Sequence, residues 1–218
     1  MIGAILQRDL RLAAHGASGT GLSLAFMALF ILLCGLAMGG SNPALGPGLL
    51  WLAATLSALL GLDRFYQLDQ QSGALAQMHL AGTSDLSIAT AKCLAFALTS
   101  LLPLIIVAPF LALLMEMSGP AIVGTVLSLL IGGPAIVAYA SVTAALLSGQ
   151  RGGGVLAIIL TAPLLIPILI FGTEAATAFA TDGLGAVQFR MLAGLSFIAV
   201  ALGLPASVAA LAANRGPS

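Results

Sequence analysis

Residues 21–38 read GLSLAFMALFILLCGLAM, and residues 39–62 continue GGSNPALGPGLLWLAATLSALLGL with no charged side chain in either stretch. Between Arg11 and Asp63 the only ionisable group is His15. A hydrocarbon core of about 30 Å needs roughly 20 helical residues, so this interval is long enough for two spans with a short turn between them. Gly39-Gly40-Ser41-Asn42-Pro43 and Gly46-Pro47 supply that turn. The spans are then expected at about 21–38 and 47–62.

The remainder of the chain repeats the pattern. Only 14 of 218 residues are charged, seven basic and seven acidic, and 60 % are hydrophobic. Ordinary soluble domains carry roughly 25 % charge, and a surface cannot be covered with so few polar groups. The mean hydropathy of +1.15 agrees. A net charge of zero with a single lysine gives no basic stripe for nucleic acid, and two cysteines in apolar runs are no disulfide framework. A polytopic membrane protein remains. Further spans are expected at about 93–115, 121–149, 155–173 and 191–211. Helices are the expected form, because backbone groups in lipid must be satisfied internally and the runs are too uniformly apolar for barrel strands. The expectation is an all-α chain of six transmembrane helices in one permease domain, residues 1–218.

An even number of spans puts both termini on one side. Arg8, Arg11, Arg64, Lys92, Arg151 and Arg215 fall on that side and Arg190 on the other, so the positive-inside rule makes both termini cytoplasmic. Trp51 and Tyr66, near the two ends of the second span, are expected at the membrane interfaces. Ile2, Ile5, Leu6, Leu10 and Ala13 share one face of an N-terminal helix, with Arg8 and Arg11 towards the other, which suits a helix lying in the interface. A frayed, merely topogenic N-terminus is the alternative.

Several chemistries lack their residues. No ionisable group falls inside a span: Asp63, Lys92, Glu116, Glu174 and Arg190 are all expected at span edges, which argues against proton-coupled transport. Intramembrane serine proteolysis needs a histidine base in the membrane, and both His15 and His79 fall in cytoplasmic segments. Cys34 and Cys93 form no redox or haem-attachment motif. The only lysine, Lys92, lies between Ala91 and Cys93, so the phosphate-binding loop of an ATPase is missing from this sequence. Active work would draw its energy from another chain.

Residues 63–92 form the longest expected cytoplasmic segment. Ala74–Ala81 reads as a short helix, with Gly82 able to end it in the left-handed conformation and Ser84 and Asp85 able to cap the next helix. Leu75 and Met78 share a face. These residues alone fit either a docking helix for a cytoplasmic partner or a solvated loop. Within the spans, Pro163 and Pro167 stand four apart and are candidate hinges, with Pro103, Pro109 and Gly132-Gly133-Pro134 in neighbouring spans. Gly35/Gly39 and Ser57/Gly61 are small pairs at four-residue spacing that let helices approach closely.

One ordered set of residues carries a resemblance. Gly48-Leu49-Leu50-Trp51-Leu52-Ala53-Ala54 leads to Asp63-Arg64-Phe65, then Ser72-Gly73-Ala74-Leu75-Ala76-Gln77-Met78 and Lys92, and later Arg151-Gly152-Gly153, Pro163, Pro167 and Ile170-Phe171-Gly172. The chain resembles the haem exporter B (CcmB) family, membrane subunits of the cytochrome c maturation ABC complex, over nearly its whole length. The resemblance implies an ABC-2-like permease of the bacterial inner membrane with no catalysis of its own and no directly bound cofactor. ATP and haem would be handled by partners: a cytoplasmic ATPase (CcmA-like), membrane haem-handling subunits (CcmC- and CcmD-like) and, indirectly, a haem chaperone (CcmE-like). On that resemblance Gly73, Leu75, Gln77, Met78 and Gly82 mark an ATPase-docking coupling helix over residues 73–82. Asp63, Arg64, Lys92 and Arg151 mark the cytoplasmic face, and the N-terminal helix is an interfacial elbow. A static scaffold and an autonomous secondary transporter are the competing functions.

Overall fold

The computed structural model describes residues 2–15, 18–62, 65–148 and 153–214. Asp63, Arg64 and Arg151, assigned above to the cytoplasmic face, lie outside the described residues, as does Arg215. The rest is all-helical, without a strand among the described residues. In chain order the helices are α1 (Ile2–His15), α2 (Ser18–Ala37), α3 (Gly46–Leu59), α4 (Gln67–Gln71), α5 (Ala74–Leu80) and α6 (Asp85–Phe96). A π-helical turn, Ala97–Leu101, joins α6 to α7 (Leu102–Leu114), and α8 (Gly119–Leu146), α9 (Gly153–Asp182) and α10 (Val187–Ala213) complete the chain.

Five of these are long and apolar enough to cross a membrane: α2, the continuous α6–π–α7 rod, α8, α9 and α10. The stretch expected as the second span forms a helix of only 14 residues, about 21 Å at 1.5 Å per residue and short of a hydrocarbon core. It is instead a largely buried helix: ten of its residues, from Gly46 to Leu59, are covered by the rest of the protein. The other long helices all start before their expected bounds, and α9 also continues nine residues past Thr173 to Asp182.

Lipid chains are as apolar as leucine, so helices in a membrane are held by close packing and hydrogen bonds, with small residues at their contacts. Helix α8 is the hub, and its small residues face its neighbours. A Cβ on Gly124 would lie 2.5 Å from the Ala176 carbonyl on α9, and a Cβ on Gly203 of α10 would lie 3.0 Å from the Ala138 Cβ on α8. Trp51 of α3 is wedged into the same place. A Cβ on Gly132 or Gly172 would lie 2.6 Å or 2.3 Å from its ring, and its indole N–H donates to Ser128 Oγ at 2.8 Å. Trp51 is therefore fully buried inside the protein, where an interface anchor would present its ring outward; indole and hydroxyl satisfy each other there. Tyr66 is likewise buried, its hydroxyl 2.9 Å from Ser141 Oγ on α8.

The two small-residue pairs behave differently. Gly61 packs close to Phe96 and to Ser100 Oγ, with Ser57 buried one turn earlier. Gly35 and Gly39 have nothing within 4 Å of a built Cβ, and Gly39 serves the turn instead with φ +74°. Pro163 and Pro167 lie within α9, which remains one helix through both.

Candidate functional site

The helix expected in the 63–92 segment is present as α5. Gly73 precedes it with φ 73°, and Gly82 follows with φ 76°. Both values belong to the left-handed region, which glycine enters without steric cost. The C-terminal turn is closed by two bonds, Gly82 N–H to the His79 carbonyl at 2.9 Å and Thr83 N–H to the Met78 carbonyl at 3.0 Å. That pair is a Schellman closure. Ser84 then caps α6, its hydroxyl accepting from Ser87 N–H at 3.3 Å, and His79 Nε2 lies 2.9 Å from Asp85 Oδ1. The short helix is thus pinned to the start of the membrane rod.

Its faces divide the expected docking residues. Leu75 is buried and Met78 packs partly buried against the core, whereas Gln77 is exposed and Leu80 is 88 % exposed. An apolar side chain held open outside the long membrane helices, on an element fixed at both ends, is the outward feature of this segment. Leu75 and Met78 hold the helix down. Leu80 escaped the sequence reading because the shared face of Leu75 and Met78 did not say which way it points.

The elements that flank α5, α4 and α6, join α1 in an ion cluster that the sequence reading did not assemble. Arg8 and Asp9 of α1, Asp69 of α4 and Lys92 of α6 converge. Lys92 Nζ lies 2.8 Å from Asp9 Oδ2 and also pairs with Asp69. Arg8 pairs with Asp69 and lies 3.4 Å from Asp9 Oδ1. Lys92 is 4 % exposed and Asp69 5 %, so Lys92 is no solvated edge residue. It sits about a quarter of the way along a membrane-length rod because α6 begins seven residues before it, at Asp85. Two cations against two carboxylates leave the cluster neutral, the condition for tolerating buried charge. Burial pushes the Asp69 carboxyl up, but Arg8 and Lys92 together outweigh it and hold the group below the usual carboxylate range. The hydrogen bond to Asp69 holds the Arg8 guanidinium above its ordinary value.

The cluster ties three sequence-distant pieces together: the N-terminal helix, the segment carrying α5, and the rod entering the membrane. Phe65 adds an apolar tie one helical turn further along the rod, stacking on Phe96 with centroids 4.6 Å apart. A signal for the cluster was present in the sequence. Four of the seven acidic residues, Asp9, Asp63, Asp69 and Asp85, stand in the segments expected on the same side as most of the basic ones, and counting bases alone hid them. Among the described residues no three His, Cys, Asp or Glu side chains gather as a metal-ligand set.

The family model described as CcmB protein matches residues 1–214. A heme exporter protein B of Rhodobacter capsulatus is 39 % identical over 97 % of this chain and 98 % of its own length. That of Paracoccus denitrificans is 40 % identical over 97 % of this chain and 98 % of its own. The heme exporter protein B of Escherichia coli K12 is 35 % identical over 95 % of this chain and 99 % of its own.

Proposed function

This chain belongs to the CcmB protein family, and from that premise we propose that it is the permease-like membrane subunit of an ABC complex serving c-type cytochrome biogenesis. In this reading a cytoplasmic partner ATPase docks on α5, and its motion is transmitted through this chain to release of a haem-loaded chaperone. The names of the relatives, heme exporter protein B, support the haem-export setting. The distribution of basic residues supports a bacterial inner membrane location with both termini and α5 facing the cytoplasm. Membrane haem-handling subunits complete the proposed assembly; ATP and haem belong to those partners.

One observation carries the coupling role. A short helix presents Gln77 and the exposed Leu80 outward, and is tied to the rod that enters the membrane directly by His79–Asp85 and, through the adjoining α4, by Asp69–Lys92. A force on α5 would therefore reach α6 through two ties and not through a slack loop. Leu80→Asp is the discriminating variant, because it alters only an exposed side chain. Expected is normal membrane insertion with loss of ATPase co-purification and of coupled ATP hydrolysis. Unchanged co-purification and hydrolysis would sink the reading. A static scaffold predicts that cross-linking the α6–α7 rod to α9 leaves maturation intact, whereas a moving permease is arrested by it.

A further inference from the structure

The rod carrying Lys92 is not a plain α-helix. Between α6 and α7 the backbone widens for five residues, Ala97–Leu101, and Leu102 N–H donates to the Ala97 carbonyl, an i→i+5 bond. Such turns hold one residue more than an α-turn and recur at functional sites. Across the widening the two halves share α8 and differ in their other neighbours: α6 packs on α1 and α10, while α7 packs on α3 and α2.

The wide turn has identifiable causes. Pro103 has no N–H to give the Thr99 carbonyl, and in α geometry its ring would press on that carbonyl. The same carbonyl accepts the Thr20 hydroxyl of α2 at 3.0 Å. Thr99 donates its own hydroxyl to the Ala95 carbonyl at 2.8 Å, a back-bond that bends helices. Two glycines give the turn its room. Gly61 of the α3 end lies against Ser100, and Gly133 of α8 against Leu101, where an added Cβ would sit 2.6 Å from Leu101 Cδ2.

The N-terminal segment therefore grips the rod twice, through Asp9 at Lys92 and through Thr20 at Thr99, with the π turn beginning between the two grips. We propose that this turn is a register switch for the ion cluster. Conversion of Ala97–Leu101 to α geometry turns α6 by about 100° against α7, the angle of one residue in an α-helix. Lys92 then leaves Asp9 and Asp69, Asp69 keeps only Arg8, and the α4–α5 segment loses its tie to the rod. In the wide form Lys92 is buried and the segment is held; in the α form Lys92 is released to water. The link from this switch to an ATPase stroke rests on the function proposed above; the switch itself belongs to this chain alone.

Lys92 is the only lysine of the chain, so labelling by a water-soluble amine reagent, located by peptide mass, reports its exposure directly; the N-terminal amine resolves as a separate peptide. Two variants move the switch in opposite senses. Pro103→Ala restores a donor to the Thr99 carbonyl and shifts the balance to α geometry with every residue kept, so α6 turns. Deleting Leu98 removes the extra residue itself, giving a continuous α-helix that preserves the facing of α6 and α7. Expected in membranes containing the full-length chain is Lys92 labelling at least tenfold faster in Pro103→Ala than in wild type, and no faster in the deletion. Emission of Trp51, the only tryptophan and fully buried in the hub, should stay unshifted in both. Equal labelling of wild type and Pro103→Ala overturns the proposal, as does faster labelling of the deletion. Faster labelling that comes only with red-shifted Trp51 emission is loss of the fold and also counts against it. In the complex with the ATPase, turnover should speed wild-type labelling at least threefold and leave the deletion unchanged. Failure of that arm alone counts against the link to the ATPase stroke, since the isolated-chain result does not involve the partner.

Discussion

Replacing Lys92 by methionine tests whether the ion cluster holds the N-terminal helix and the α4–α5 segment to the rod. The stem is kept in size and hydrophobicity, so packing changes little, and the loss is the ammonium group. That group lies 2.8 Å from Asp9 Oδ2 and pairs with Asp69, inside a site where neither Lys92 nor Asp69 is more than 5 % exposed. Removing one member of a buried ion pair costs about 3–5 kcal/mol, because the survivor is left uncompensated. Here Asp69 still has Arg8, which limits the damage, and we expect a loss of about 2–4 kcal/mol. The cluster is neutral in the native protein and carries one net negative charge in Lys92→Met. Adding Asp9→Asn restores neutrality, so the double variant should regain at least half of the loss. Stability is read from SDS titration in mild detergent, with proteolysis between residues 65 and 84 as a local probe. A single variant within about 0.5 kcal/mol of wild type, the range of an ordinary surface substitution, would refute the reasoning. So would a double variant less stable than the single one, since charge balance would then not be what holds the site.

Other expectations follow from the same structure. Gly172→Ala places a methyl 2.3 Å from the Trp51 ring and should cost about 1–3 kcal/mol by overpacking, whereas Gly35→Ala meets nothing within 4 Å and should be neutral or stabilising by up to about 1 kcal/mol; thermal unfolding in detergent compares them. Asp69 is held below the usual carboxylate range, so its contribution is complete above that range and is lost as pH falls through its lowered value. Protection of the α4–α5 segment from an acid-active protease should therefore persist at neutral pH and fall in acid, and Asp69→Asn should flatten that profile. Glu116 is a non-glycine residue with φ 56° at the end of α7, so Glu116→Gly should stabilise by about 1 kcal/mol, read in the same unfolding assay. Leu75→Asp should impair folding itself, because Leu75 is buried, whereas Leu80→Asp should leave the unfolding midpoint unmoved.

The sequence by itself determined the solvent of this protein and most of its long elements. Helical runs such as 21–38 have no other stable form in lipid, and the left-handed glycines at 73 and 82, the Ser84 cap and the turn at Gly39 follow from local backbone sterics. Burial was different, because in an apolar chain nearly every residue looks alike to a hydropathy pattern. Trp51 and Tyr66 read as interface residues because aromatic belts are common; only the three-dimensional placement of Ser128, Ser141, Gly132 and Gly172 sends them inward. The short α3 could not be foreseen either, since its hydropathy matches that of the longer helices and its burial comes from its neighbours. The ion cluster depends on contacts between residues 8, 9, 69 and 92, across separations that no local pattern encodes. The charges were legible one by one as markers of a membrane face. Only the tertiary structure paired them, because burying a charge is tolerable where opposite charges from distant segments arrive together.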